Sequence, residues 1–258
     1  MFDYWDYASR DILSPLLPAF QAKDCFMRDN KIYIPIATGM GSPWIHAKVR
    51  DDCNCNRYQR IYHSIYGFIP EKCHGCWKVV QRPSNLDELF EIYKYQKEMR
   101  LASKCGVETR KYVHGNYGAY WYNRSKEQGL ERLEVVRKDF PKIPAILKRG
   151  CTEFELAYGP SDQWKLDRRT IELEEQLESI LVDIWRHDGL HKKKLSGKGY
   201  PSFVNENIMR DWVEFAFDRG DPTYKIYTRG RPITPRPVVF EKDMETGCEV
   251  TGKIELAR

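Results

Sequence analysis

WKVVQRPSNLDELFEIYKY, residues 77–95, decides the fold. WKVVQRP alternates as a short strand and stops at Pro83. Ser84 then caps a helix, with Asp87 three residues later, and Leu86, Leu89, Phe90 and Tyr93 fall on one helical face. Gly106 is the expected stop for that helix.

Working outward, Val107–Val113 reads as a second strand, HGNYG (114–118) as a turn and Ala119–Asn123 as a third strand. Ser125 caps a second helix, with Gln128 completing a capping box and Leu130, Leu133 and Val136 forming its inner face. Pro141 and Pro144 end it, and Ala145–Leu156 reads as a fourth strand. The order β-α-β-β-α-β over residues 77–158 is that of a ferredoxin-like, split βαβ unit. It is shared by RNA-recognition modules and by the palms of many nucleotidyl transferases. Order alone does not assign a function.

Three regions follow: an N-terminal segment (1–76), the ferredoxin-like core (77–158) and a helical C-terminal region (159–258). The fold class is therefore α+β. Residues 1–24 read as a helix leading into an extended stretch, 25–37. Residues 167–185 form an amphipathic helix with Leu173, Leu177, Ile180, Leu181 and Ile184 as its stripe. A basic loop, 186–201, follows. Residues 205–218 are a further helix with Ile208, Trp212 and Phe215 inward, and the proline-containing tail runs extended.

The 258 residues carry 42 Lys+Arg against 37 Asp+Glu, a net charge of +5, with 13% aromatics. That aromatic content and near-balance of charge exclude a disordered chain. The small positive excess permits an acidic partner without requiring one. No apolar run approaches a membrane span, so no membrane partner is expected. The opening stretch lacks a basic region, and Asp11, Pro15 and Pro18 interrupt its apolar positions. It does not read as a signal peptide, and a cytoplasmic, reducing location is expected.

Four of the eight cysteines cluster: Cys53-Asn-Cys55 and Cys73-His-Gly-Cys76. Two close thiolate pairs suit a tetrahedral, structural Zn²⁺ in a zinc-knuckle segment. An iron–sulfur cluster, a redox pair at CHGC and ordinary buried cysteines are the alternatives. Cys151 with His114 as base is a further, weaker nucleophile pattern.

Strand alternation sorts the core's residues by face. Lys78, Arg82, Glu108, Arg110, Tyr112, His114, Tyr120, Tyr122, Arg124, Arg149, Cys151, Glu153 and Glu155 are expected on the face that the two helices leave open. Cations interleaved with tyrosines form a platform for single-stranded DNA or RNA. Lys192, Lys193 and Lys194 of the basic loop add phosphate contacts. NYGAYWY (116–122) resembles the aromatic ribonucleoprotein motif of RNA-recognition domains, without its leading Lys/Arg-Gly and with Ala119 at an aromatic position.

Two other function classes compete with nucleic-acid binding. Glu153-x-Glu155 on one strand face would hold Mg²⁺ for nucleotidyl-transfer or nuclease chemistry, a spacing similar to the acidic pair of primase-type palms. The same carboxylates could instead pair with Arg149, Arg110 or Arg124 on a solvated face. Exposed Tyr and Trp as protein–protein anchors make a third reading.

Overall fold

The computed structural model describes residues 14–16, 26–36, 42–50, 53–185, 202–231, 233, 238–242 and 249–254. Strands β1 (Phe26–Arg28) and β2 (Lys31–Ile36) form a hairpin, with Asp29 and Asn30 both at positive φ in its two-residue turn. Strand β3 (Trp44–Lys48) follows. Helix α1 (Cys55–Arg57) continues into a π-helical turn, Tyr58–His63, and α2 (Glu71–His74) leads into β4 (Trp77–Gln81). Then come α3 (Leu86–Met99), β5 (Ser103–Val107), β6 (Tyr117–Asn123), α4 (Lys126–Asp139) and β7 (Ala145–Arg149). The chain closes with α5 (Thr152–Tyr158), α6 (Arg168–Ile180), β8 (Leu181–Trp185), α7 (Ser202–Asp218), α8 (Tyr224–Tyr227) and the hairpin β9 (Val238–Lys242)–β10 (Glu249–Ile254).

The protein is of mixed α+β class. Its main sheet has five strands in the order β3-β5-β6-β4-β7, every neighbouring pair antiparallel. One face packs Ile45, Val79, Cys105, Val107, Tyr117, Ala119, Trp121 and Ala145 against apolar residues of α3, α4 and α7. Trp121 and Trp212 are almost wholly buried there. Each such side chain removes enough apolar surface to contribute about 3 kcal/mol or more. Their indole N–H groups are satisfied, Trp121 donating to Gln81 Oε1 and Trp212 to the Pro43 carbonyl, both at 2.8 Å. A second core joins Leu16, Ile32, the Tyr58–Ile69 segment, Phe154, Trp164, Leu173, Leu177 and Leu181. Residues of the N-terminal segment and of the C-terminal region thus share one interior.

Several local expectations are corrected. Asn85, not Ser84, is the N-cap of α3, accepting from the Glu88 N–H at 2.9 Å. Ser84 donates from N and Oγ to the Glu88 carboxylate, so the reciprocal half of the box lies one residue earlier. The helix stops at Arg100, which takes the left-handed conformation (φ 52°) that Gly106 was expected to supply. Gly106 instead lies in β5, where a Cβ would collide with the Pro43 carbonyl. The second strand is therefore Ser103–Val107, and 108–116 is a loop. In α4, Ser125 caps as expected, but Leu130 is 45% exposed.

The fourth strand ends at Arg149. Gly150 (φ 62°) turns the chain, and Thr152–Tyr158 is helical. Residues 181–185 leave α6 as a strand and pair in parallel with β2. The tail forms a hairpin within 238–254. The helix expected over 1–24 lies outside the described residues except for a 3-10 turn at Ser14–Leu16. Among the described residues, no helix is long and apolar enough to cross a membrane.

Candidate nucleic-acid interface

The face opposite α3 and α4 follows from register. Lys78 lies opposite Tyr122 and Lys148, Val80 opposite Tyr120 and Ile146, Lys104 opposite Tyr120 and His46, and Gly106 opposite Trp44. Directly paired residues share a face. Trp44, His46, Lys78, Lys104, Tyr120, Tyr122 and Lys148 therefore stand on it, with Arg82 and Glu108 just beyond their strand ends.

At its centre the Lys104 ammonium sits 4.6 Å from the Trp44 ring centre and 5.4 Å from that of Tyr120. The two rings meet edge to face at 5.4 Å. Lys104 makes no ion pair among the described residues. Burial, reinforced by the positive charges of Lys78 and Arg110, pushes its pKa down to about 8. Burial and Lys104 likewise lower the neighbouring His46 to about 3, so that imidazole is neutral. Arg82 also approaches Tyr120, its guanidinium carbon 5.6 Å from the ring centre.

Tyr120 itself is buried at 8% exposure. Its hydroxyl donates to Glu108 at 3.2 Å and lies within 3.3 Å of Arg82. It positions cations rather than offering a stacking surface, a correction to its expected role. Trp44 and Tyr122 are half-buried. Glu108 has a side chain only 1% exposed and accepts a two-pronged bond from Arg110 at 2.7 and 2.8 Å. Burial alone would raise its pKa, but the Arg110 hydrogen bonds and charge outweigh that and hold it below the usual carboxylate range.

Arg110 also donates to Glu153 at 2.7 Å, and the Tyr112 hydroxyl donates to the same oxygen at 2.9 Å. Glu153 and Glu155 do not share a strand face. Both lie in α5, where a two-residue step rotates a side chain by about 200°. Glu155 accepts from Lys148, so each carboxylate already holds its own cation. The expected Mg²⁺-binding pair is not assembled.

Other expected contacts are dispersed. Lys78 is buried and donates to Cys151 Sγ at 3.0 Å, which withdraws it from solvent and leaves Cys151 partnered by lysine rather than His114. Arg149 falls on the helix-side face with Trp77. It donates to the carbonyls of His74 and Ser161 at 2.7 and 2.8 Å, so it staples a loop. Arg124 is exposed at the end of β6. Lys192, Lys193 and Lys194 lie outside the described residues. The face therefore retains Arg82, Arg110, Tyr122 and Arg124 and gains Trp44 and Lys104. Trp44 lies in a strand that the sequence reading did not expect, and Lys104 in a strand where the helix ending at Gly106 was expected, although the alternation of SKCGV marks it.

The six described cysteines are free thiols. Cys53 and Cys55 Sγ atoms are 3.3 Å apart. Cys73 and Cys76 are buried, and Arg50 Nη1 lies 3.7 Å from Cys76 Sγ. The hydrogen bond from Cys53 lowers the Cys55 thiol to about 6, while the same bond and burial push Cys53 up. Burial pushes up Cys73 and Cys76. Among the described residues, no three His, Cys, Asp or Glu side chains are grouped to hold a metal ion. Comparison with protein-family models, curated proteins and solved structures finds no match to this chain.

Proposed function

We infer that the protein binds single-stranded nucleic acid on this open sheet face. The observation that carries the reading is Lys104: a largely buried ammonium beside two aromatic rings, with no carboxylate partner among the described residues and a pKa held down by burial and by the like charges of Lys78 and Arg110. A buried cation facing other cations, with no carboxylate beside it, favours an anion from outside. A phosphate beside Lys104 relieves that repulsion, and the half-buried Trp44 is the aromatic ring beside it.

The strand order supports a ferredoxin-like reading of 77–149. Numbering β4, β5, β6 and β7 as one to four, the spatial order is 4-1-3-2, with both crossover helices on one face. On the other face Lys78, Val80 and Tyr120 are buried, so the reading rests on its half-buried residues Trp44, Lys104 and Tyr122 and on exposed Arg124. Fluorescence anisotropy with a labelled single-stranded oligonucleotide tests it. Affinity should fall linearly on a log–log salt plot, and Lys104→Met should reduce the slope by about 0.7. No binding at low salt would end the proposal.

The zinc expectation for Cys53, Cys55, Cys73 and Cys76 rests on spacing. Elemental analysis of the purified chain tests it, with about one zinc per chain expected if all four sulfurs ligate.

A further inference from the structure

We propose that Cys53 and Cys55 form a thiol–disulfide exchange site whose substrate is a small disulfide of the glutathione type. The inference goes beyond nucleic-acid binding and does not depend on it. It begins with distance. The two Sγ atoms lie 3.3 Å apart and face one another. A disulfide needs about 2.05 Å, so closure asks for little more than an ångström of movement in a short surface turn.

The second observation is asymmetry of exposure. Cys55 is exposed, whereas Cys53 is half-buried against the second apolar core. Cys55, the more exposed residue of the pair, takes the attacking role, with Cys53 Sγ 3.3 Å away to resolve the mixed disulfide. Every other described cysteine (Cys73, Cys76, Cys105 and Cys151) is buried. The intervening Asn54 holds the turn, its side-chain oxygen accepting from the Arg57 N–H at 3.2 Å. The attacking thiol, the resolving thiol and a capped one-residue spacer are thus present together.

The chemistry balances. The Cys55 sulfur attacks one sulfur of the incoming disulfide, forming a mixed disulfide and expelling one thiolate, which takes up the proton Cys55 gives away. Cys53 then attacks Cys55 Sγ and expels the second thiol, again with its proton. Two protein thiols and one small disulfide become one protein disulfide and two small thiols. Two electrons leave the protein.

Trypsin cleaves after Arg50 and Arg57, so DDCNCNR (51–57) holds both cysteines and no others. The folded, full-length protein is exposed to glutathione disulfide, alkylated, digested and weighed. The expected result is a 51–57 peptide lighter by two hydrogens, formed before any buried cysteine reacts. Cys53→Ser should stop at a glutathione adduct on Cys55, and Cys55→Ser should leave Cys53 far slower to react. Modification of Cys73 or Cys76 first, or a Cys53→Ser variant that accumulates no adduct, overturns the proposal. So does protection of 51–57 that is lifted only when a chelator removes stoichiometric zinc, because the two sulfurs are then metal ligands. Failure of oligonucleotide binding leaves the redox result unaffected, and the reverse also holds.

Discussion

Replacing Lys104 with methionine keeps the aliphatic stem and deletes the charge. Burial and like charge hold its pKa at about 8 rather than 10.5, which at 1.36 kcal/mol per pH unit makes the charged form cost the folded state roughly 3 kcal/mol. The variant also loses the contacts with the Trp44 and Tyr120 rings, worth about 0.5–1 kcal/mol each. The net expectation is stabilisation by about 1–2 kcal/mol near neutral pH.

The pH dependence has a definite sign. Below about 8, folded and unfolded chains both carry the proton, and the cost is complete. Between about 8 and 10.5 the folded state loses its proton first, so wild-type stability rises with pH relative to the variant. Urea unfolding of both proteins at about pH 7 and about pH 10 should show the variant's advantage shrinking towards zero or reversing. A variant less stable than wild type at neutral pH, or a gap that pH does not change, refutes the argument. The same substitution should weaken oligonucleotide binding, so stability and binding move in opposite directions.

Glu153→Gln removes one of the two carboxylates from Arg110, and oligonucleotide affinity should rise because the guanidinium becomes available to phosphate; weaker binding would count against that face. The half-buried pair should cost about 1 kcal/mol when lost. Although burial alone would raise the Glu153 pKa, hydrogen bonds from its own N–H, Arg110 and Tyr112 hold it low, so this stabilisation is present above the usual carboxylate range and fades as acid titrates it. Gly106→Ala should destabilise by about 1–3 kcal/mol because its Cβ meets the Pro43 carbonyl; an unchanged melting temperature would mean that β3 does not pack there. Trp121→Ala should cost about 3–5 kcal/mol in chemical unfolding, and a smaller loss would show that the core collapses around the gap.

What the sequence discloses depends on whether a local signal coincides with the tertiary demand. β4 was legible from its β-branched run and its stop at Pro83, and α4 from the Ser125 cap and the inward Leu133 and Val136. β5 was not. Its helix stop is Arg100, a residue type without left-handed preference, while the nearby glycine serves a close approach from β3 that is remote in sequence. AILKRGCTEFEL alternates well enough to pass for one strand. The turn at Gly150 is paired with a Cys151 N-cap that makes no side-chain capping bond, so no capping residue marks the start of α5. Misplacing that turn put Glu153 and Glu155 on the wrong element. Missing β5 hid Lys104, the residue on which the functional reading rests.

The parallel pairing of β2 with β8 sets an order of events during synthesis. Ile32 pairs with Leu181, and closing so long a segment costs on the order of 4 kcal/mol in chain entropy. Strands β4 to β7 lie close together in sequence and can assemble once residue 149 has emerged. The β1–β2 hairpin must wait for residues 181–185, an interval of roughly ten seconds at ribosomal rates. Throughout it, one edge of β2 presents unsatisfied backbone groups. The nascent chain is therefore open to intermolecular strand pairing at its N-terminal end, and chaperone engagement should matter most there.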